Sequence, residues 1–145
     1  EEAIATGDVI SLHCPLTAET RHIIDAAALA LAKPTAYLIN VSRGGLIDSA
    51  ALAAALSDGR LAGAALDVLE TEPPYGDALL GAPRLTLTNH IAWYSEQSER
   101  RLRELLAARC ASVLAGTGSP TVANRADLER RAKAGKSGAR SATRS

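Results

Sequence analysis

Phenylalanine and methionine are missing from these 145 residues, and tryptophan occurs once. Any core must therefore be built from small aliphatic side chains. Methionine is missing at position 1 as well, so we read the chain as a piece of a longer protein. There are two cysteines, Cys14 and Cys110, which fit neither a disulfide framework nor a metal site of standard spacing; reduced thiols in a cytoplasmic protein without a bound metal are the expectation. No apolar run approaches the ~20 residues of a membrane span, and no signal-peptide pattern opens the chain, so a membrane partner is not expected. Net charge is also lacking, but the balance is uneven: residues 117–145 carry seven basic and two acidic groups, leaving the rest mildly acidic. That tail has almost no large apolar residues and no aromatics for base stacking, so it reads as solvated and disordered, not as a nucleic-acid arm.

What the chain does have is an alternation of short apolar runs and small-residue helices. Residues 8–13 (DVISLH) read as a buried strand stopped by Pro15. Asp25 caps a helix over 26–32, closed by Lys33 and Pro34. A second strand follows at 36–41, then a turn with Gly44 and Gly45, where glycine lets the backbone bend sharply. The spacing predicts a helix over 48–58, capped by Asp48 and ended by Gly59, with Ala51, Leu52, Ala55 and Leu56 on one side. A third strand is expected at 61–68 and, after the long connection 69–83, a fourth at 85–88. Ser95, Glu96 and Glu99 open the longest helix, which Gly116, Gly118 and Pro120 end. Continuous apolar strands alternating with helices argue for an α/β fold with a parallel sheet covered on both faces.

In such a sheet the strand carboxyl ends share one edge, where ligands bind. The polar residues expected there are His13 and Cys14, then Ser42 and Arg43, then Asp67 leading to Glu72, then His90. Arginine can grip a carboxylate through two parallel hydrogen bonds. An imidazole backed by a carboxylate can hand a proton to a carbonyl oxygen. Together they suit reduction of a 2-oxo acid, with hydride supplied by a cofactor. Each residue also has a structural use: Arg43 could bond nearby carbonyls, Glu72 could be a solvated loop acid, Asp67 could cap a turn, and His13 and His22 are read as structural. The set by itself does not separate hydride transfer from a lyase.

The ordered blocks DVISLHCPLTAETRHII, LINVSRGGLID, GRLAGAALDVLETEPP and LTNHIAWYSEQ resemble the carboxyl-terminal part of the D-isomer-specific 2-hydroxyacid dehydrogenases. The run HIAWYSEQ is similar to the branch that includes the C-terminal-binding proteins, corepressors that keep the dehydrogenase fold. The resemblance covers roughly residues 5–116. It implies a Rossmann-type parallel sheet, the second half only of an NAD-binding domain over 1–92. A long helix over 93–116 would lead back toward a substrate domain, and the basic tail fills 117–145.

The resemblance further implies an NAD-dependent enzyme interconverting small 2-hydroxy and 2-oxo acids, homodimeric at full length. Arg43, Glu72 and His90 would be catalytic. Cys14, Pro15, Thr20, Val41 and Ser42, with Arg43 and His90, would line the dinucleotide, Asp67 would hold the nicotinamide carboxamide, and Trp93 would lie beside the substrate. A rival of another class is an NAD(H)-sensing, corepressor-like scaffold. Two departures stand out. Asn89 occupies the place before His90 where the family has proline. GxGxxG is absent, and with it the cradle for the pyrophosphate, so the sheet should have an uncovered side and the chain alone little activity.

Overall fold

The structure, a computed structural model, describes residues 1–118. Residues 1–94 form one compact unit; a second begins at Ser95. In the first, four strands run in parallel and in sequence order: β1 (Val9–Leu12), β2 (Tyr37–Asn40), β3 (Gly63–Leu66) and β4 (Leu85–Leu87). The register aligns Leu12 with Asn40, Asn40 with Leu66, and Leu66 with Leu87, so all four carboxyl ends finish level. Ahead of β1 lies α1 (Glu2–Thr6), which sequence reasoning did not anticipate; between the strands lie α2 (Ala26–Leu31) and α3 (Ser49–Ser57).

Both longer helices of this unit start where an aspartate can satisfy a free N–H. Asp25 accepts from Ala28 N–H at 2.8 Å and Asp48 from Ala51 N–H at 3.0 Å. Leu29, Leu52, Ala55 and Leu56 from these helices are buried with Leu12, Leu38, Ala64 and Leu66 from the strands. Leu61 is buried just ahead of β3, which is shorter than the run 61–68 suggests. Asp77 caps a 3₁₀ turn, Ala78–Gly81, whose buried Leu79 joins the same core. Each such leucine contributes about 1.5–3 kcal/mol relative to an exposed one.

The expected cover on both faces is not present within residues 1–94. Strands laid down in sequence order by crossovers of one hand receive all their helices on one side. The other face presents Val9 and Tyr37, 60% and 53% exposed, beside Ile39, Ala65 and Thr86. The glycine pair after β2 also needs a different explanation, because neither Gly44 nor Gly45 has positive φ. A Cβ on Gly44 would lie 1.9 Å from the Leu69 carbonyl carbon, so glycine is there to let two backbones touch.

The second unit contains α4 (Glu96–Leu114). Ser95 accepts from Ser98 N–H at 3.0 Å while Ser98 Oγ accepts from Ser95 N–H at 2.7 Å, a capping box closed by a serine where Glu99 was expected to help. Glu99 instead pairs with Arg103 one turn on. Most of the predicted tail, residues 119–145, lies outside the described residues.

Candidate active site

The turn after β2 is shaped from beneath by a buried side chain. Asn40 is fully enclosed; its Nδ2 donates to the Arg43 carbonyl at 2.9 Å and its Oδ1 accepts from Ser42 N–H at 3.0 Å. Ser42 Oγ donates to the Cys14 carbonyl at 2.7 Å, tying this turn to the end of β1. Arg43 is exposed, with Nη1 donating to the Ser42 carbonyl at 2.7 Å. One of its five N–H groups is thereby used.

Asp67, just past β3, is buried and organises the segment that carries His90. Oδ1 accepts from the Thr88 hydroxyl and from Ile91 N–H at 2.9 Å, Oδ2 accepts from Ala92 N–H at 2.9 Å, and its backbone carbonyl accepts from His90 N–H at 2.9 Å. Burial pushes this carboxyl up, but the Thr88, Ala92 and Ile91 donors and the nearby His90 outweigh it and hold it below the ordinary carboxylate value. His90 has a φ of 56°, a left-handed conformation that these bonds stabilise.

Glu72 and His90 meet at 2.8 Å, Oε2 to Nδ1, and Glu72 Oε1 accepts from Leu69 N–H at 3.0 Å. The His90 bond and then the Leu69 bond hold Glu72 below its ordinary value, so it is a carboxylate at neutral pH. A carboxylate only accepts, so Nδ1 carries the hydrogen and Nε2 is the ring position left for another partner.

Arg43, Glu72 and His90 line one cleft of about 220 Å³, walled by Gly44, Leu69 and Glu70. The Glu72–His90 pair also borders a larger cleft of about 560 Å³, with Asp67 and the apolar Pro73, Pro74 and Leu80. An arginine, a carboxylate and an imidazole from three strand ends thus reach one cavity. That arrangement can hold an anion and move a proton beside it.

The remaining expected residues take several positions. Cys14 and Pro15 follow β1, and Thr20 ties its hydroxyl to the Pro15 carbonyl at 2.7 Å. Val41 is exposed at the end of β2 and shares an apolar groove with Ile39, Ala65, Asp67 and Ile91. Trp93 stands edge-on to Tyr94, with ring centroids 5.7 Å apart, and lines neither of the two clefts. His13 bonds Ser11 at 2.8 Å. Sequence reasoning passed over two residues. Asn40 could have been found, since an amide inside an apolar strand must have partners. Glu70, which meets Arg21 and His22 across the fold, gave no local signal.

As to fit, a nicotinamide ring needs an apolar slot and an acceptor for its carboxamide. The groove at Val41 and the one acceptor position left on Asp67 provide for these.

Residues 1–92 match the family model described as D-isomer specific 2-hydroxyacid dehydrogenase, NAD binding domain. The chain is 42% identical over 123 residues to a glyoxylate reductase of Thermofilum pendens, covering 84% of this chain and 36% of that protein. It is 43% identical over 119 residues to a glycerate dehydrogenase of Methylorubrum extorquens, covering 80% and 38%. Among solved structures, a D-lactate dehydrogenase from Treponema pallidum superposes with a TM-score of 0.75 at 38% identity, over 79% of this chain and 39% of that one. A D-lactate dehydrogenase from Aquifex aeolicus, complexed with NAD and lactic acid, gives 0.72 at 34% identity over the same shares. The chain therefore spans under two-fifths of the length of these relatives and corresponds to their cofactor-binding part. With its four parallel strands and the matched 92 residues, it belongs to the D-isomer-specific 2-hydroxyacid dehydrogenase family, as an NAD-binding domain.

Proposed function

We propose that this chain is the nicotinamide half of a cytoplasmic, homodimeric dehydrogenase that interconverts a small 2-hydroxy acid and its 2-oxo acid. The observation that carries the reading is the Glu72–His90 pair bordering the same cleft as Arg43. When bound, the nicotinamide would supply the hydride that such a reduction needs. Arg43 grips the substrate carboxylate and draws electron density from the carbonyl. His90, protonated at both nitrogens and held by Glu72, gives the Nε2 proton to the carbonyl oxygen, so the product is an alcohol and a neutral imidazole that solvent reprotonates. Asp67 would accept from the carboxamide of a bound nicotinamide. Cys14, Pro15, Thr20, Val41 and Ser42, with Arg43 and His90, would line the dinucleotide; Trp93 borders neither cleft within this chain, so a place beside the substrate rests on the family resemblance alone.

With no glycine-rich pyrophosphate cradle in the sequence, the chain alone is expected to bind weakly and to turn over little. Nuclear magnetic resonance titration with reduced nicotinamide mononucleotide tests this. Amide shifts confined to Val41, Ser42, Asp67 and His90, with affinity on the order of millimolar, are expected. Scattered or absent shifts would overturn the site, and brisk turnover of glyoxylate with NADH would overturn the expected inactivity. Placement in the C-terminal-binding-protein branch, and the scaffold role it suggests, is carried by the run HIAWYSEQ at 90–97 alone.

A further inference from the structure

A polar cluster that the proposed chemistry leaves unused joins the first and third of the strand-end loops. Glu70 Oε1 accepts from Arg21 Nη2 at 2.5 Å and lies 2.9 Å from His22 Nε2, across 49 and 48 residues of sequence. Glu70 is only 25% exposed, so the bonds are partly shielded from water. The first two loops are already stitched together by backbone bonds. His22 N–H donates to the Gly45 carbonyl at 2.9 Å, Ile24 N–H to Leu46 at 3.0 Å, and Asp48 N–H returns to Ile24 at 3.0 Å. His22 has a φ of 52°, so its backbone is held in an unfavourable region by its neighbours. Past the strand ends, the described hydrogen bonds that cross from these two loops to the third are the two accepted by Glu70.

Glu70 stands two residues before Glu72, whose Oε1 accepts from the N–H of Leu69, the residue just ahead of Glu70. Gly44, next to Arg43, abuts the Leu69 to Glu70 peptide. We propose that Glu70 is a positioning residue: clasped by Arg21 and His22, it fixes the turn 69–72 against the Arg43 loop and so sets the pairing of Glu72 with His90. The inference rests on the reading above for its functional meaning, but the pairing itself is observable without cofactor or substrate.

The test uses the full chain uniformly labelled with ¹⁵N, recording the His90 ring nitrogens and the exchange of the Leu69 amide. Glu72→Ala, which leaves no acceptor for the His90 Nδ1–H, provides the reference spectrum for a broken pair. In Glu70→Ala the hydrogen-bonded Nδ1–H signal of His90 is expected to be lost or averaged between tautomers, and Leu69 amide exchange to rise tenfold or more, the scale of one lost charge-assisted bond. Glu70→Gln, which keeps an acceptor oxygen, is expected to recover most of the His90 signal. Should Glu70→Ala fail to fold, Arg21→Gln combined with His22→Gln loosens the clasp from the other side and is expected to give the same spectral change. A His90 pattern identical to the unaltered chain in folded variants, even with lowered stability, would overturn the proposal. Loss of the His90 signal in Glu70→Ala, with nicotinamide shifts absent from the unaltered chain, would sink the dehydrogenase reading and leave the clasp standing.

Discussion

Asn40 holds Arg43 by the backbone: Nδ2 donates to the Arg43 carbonyl at 2.9 Å from a position with no solvent exposure. Its oxygen is used on Ser42 N–H, so the amide is satisfied at both ends. Asn40→Leu would fill a similar volume but leave the Ser42 N–H without its acceptor and the Arg43 carbonyl with only the longer bond from Leu46 N–H at 3.2 Å. A loss of about 1–3 kcal/mol is expected, measured by urea unfolding. The Ser42 and Arg43 amides should also exchange faster, since the turn loses its support.

Gly44→Ala tests the contact between loops. The added methyl would fall 1.9 Å from backbone, which cannot yield as a side chain does, and a loss of about 2 kcal/mol or more is expected. Gly81→Ala is the control, because nothing lies within 4 Å of its Cβ and its φ is not positive. Its stability should be unchanged or raised by about 0.4–1 kcal/mol. Thermal or urea unfolding of the pair decides between a local packing limit and a general intolerance of substitution.

Acid should destabilise the fold through Asp67 and Glu72. Both carboxyls are held below their ordinary values of 3.8 and 4.5, so the unfolded chain takes up protons first as pH falls. Their contribution is complete above about pH 5 and is lost progressively below it. Asp67→Asn should flatten this acid limb. It should also cost about 1–3 kcal/mol at pH 7, because an amide oxygen cannot accept the three bonds that the carboxylate does. Unfolding free energies measured from pH 7 to pH 3 check both.

The helix starts give a smaller effect. Asp48→Ala removes an acceptor for Ala51 N–H and is expected to cost about 1 kcal/mol; Asp48→Asn, which keeps an oxygen, should cost much less. Equal losses in the two variants would mean that charge, not capping, is what matters there.

Much of this was legible in the sequence because it is local. Short apolar runs gave the four strands, Asp25 and Asp48 stood where caps belong, and parallel order alone brought Arg43, Glu72 and His90 to one edge. What escaped depends on contacts between distant segments. Glu70 looked like any loop acid because its partners lie 48 and 49 residues earlier. Gly44 looked like a turn residue because nothing in the sequence says that the chain at Leu69 passes against it. The side on which the helices pack was missed for a different reason: the hand of the crossovers is fixed by default, but continuous apolar strands do not reveal that they lie in sequence order, which is what puts every crossover helix on one face.

The bare peptide at Gly44 has a consequence for how the cavity is dimensioned. Where two main chains meet with no side chain between them, the separation is fixed by covalent geometry and van der Waals radii. The spacing of the two turns that carry Arg43 and Glu72 is therefore set by main chain against main chain, not by the packing of the leucines beneath them.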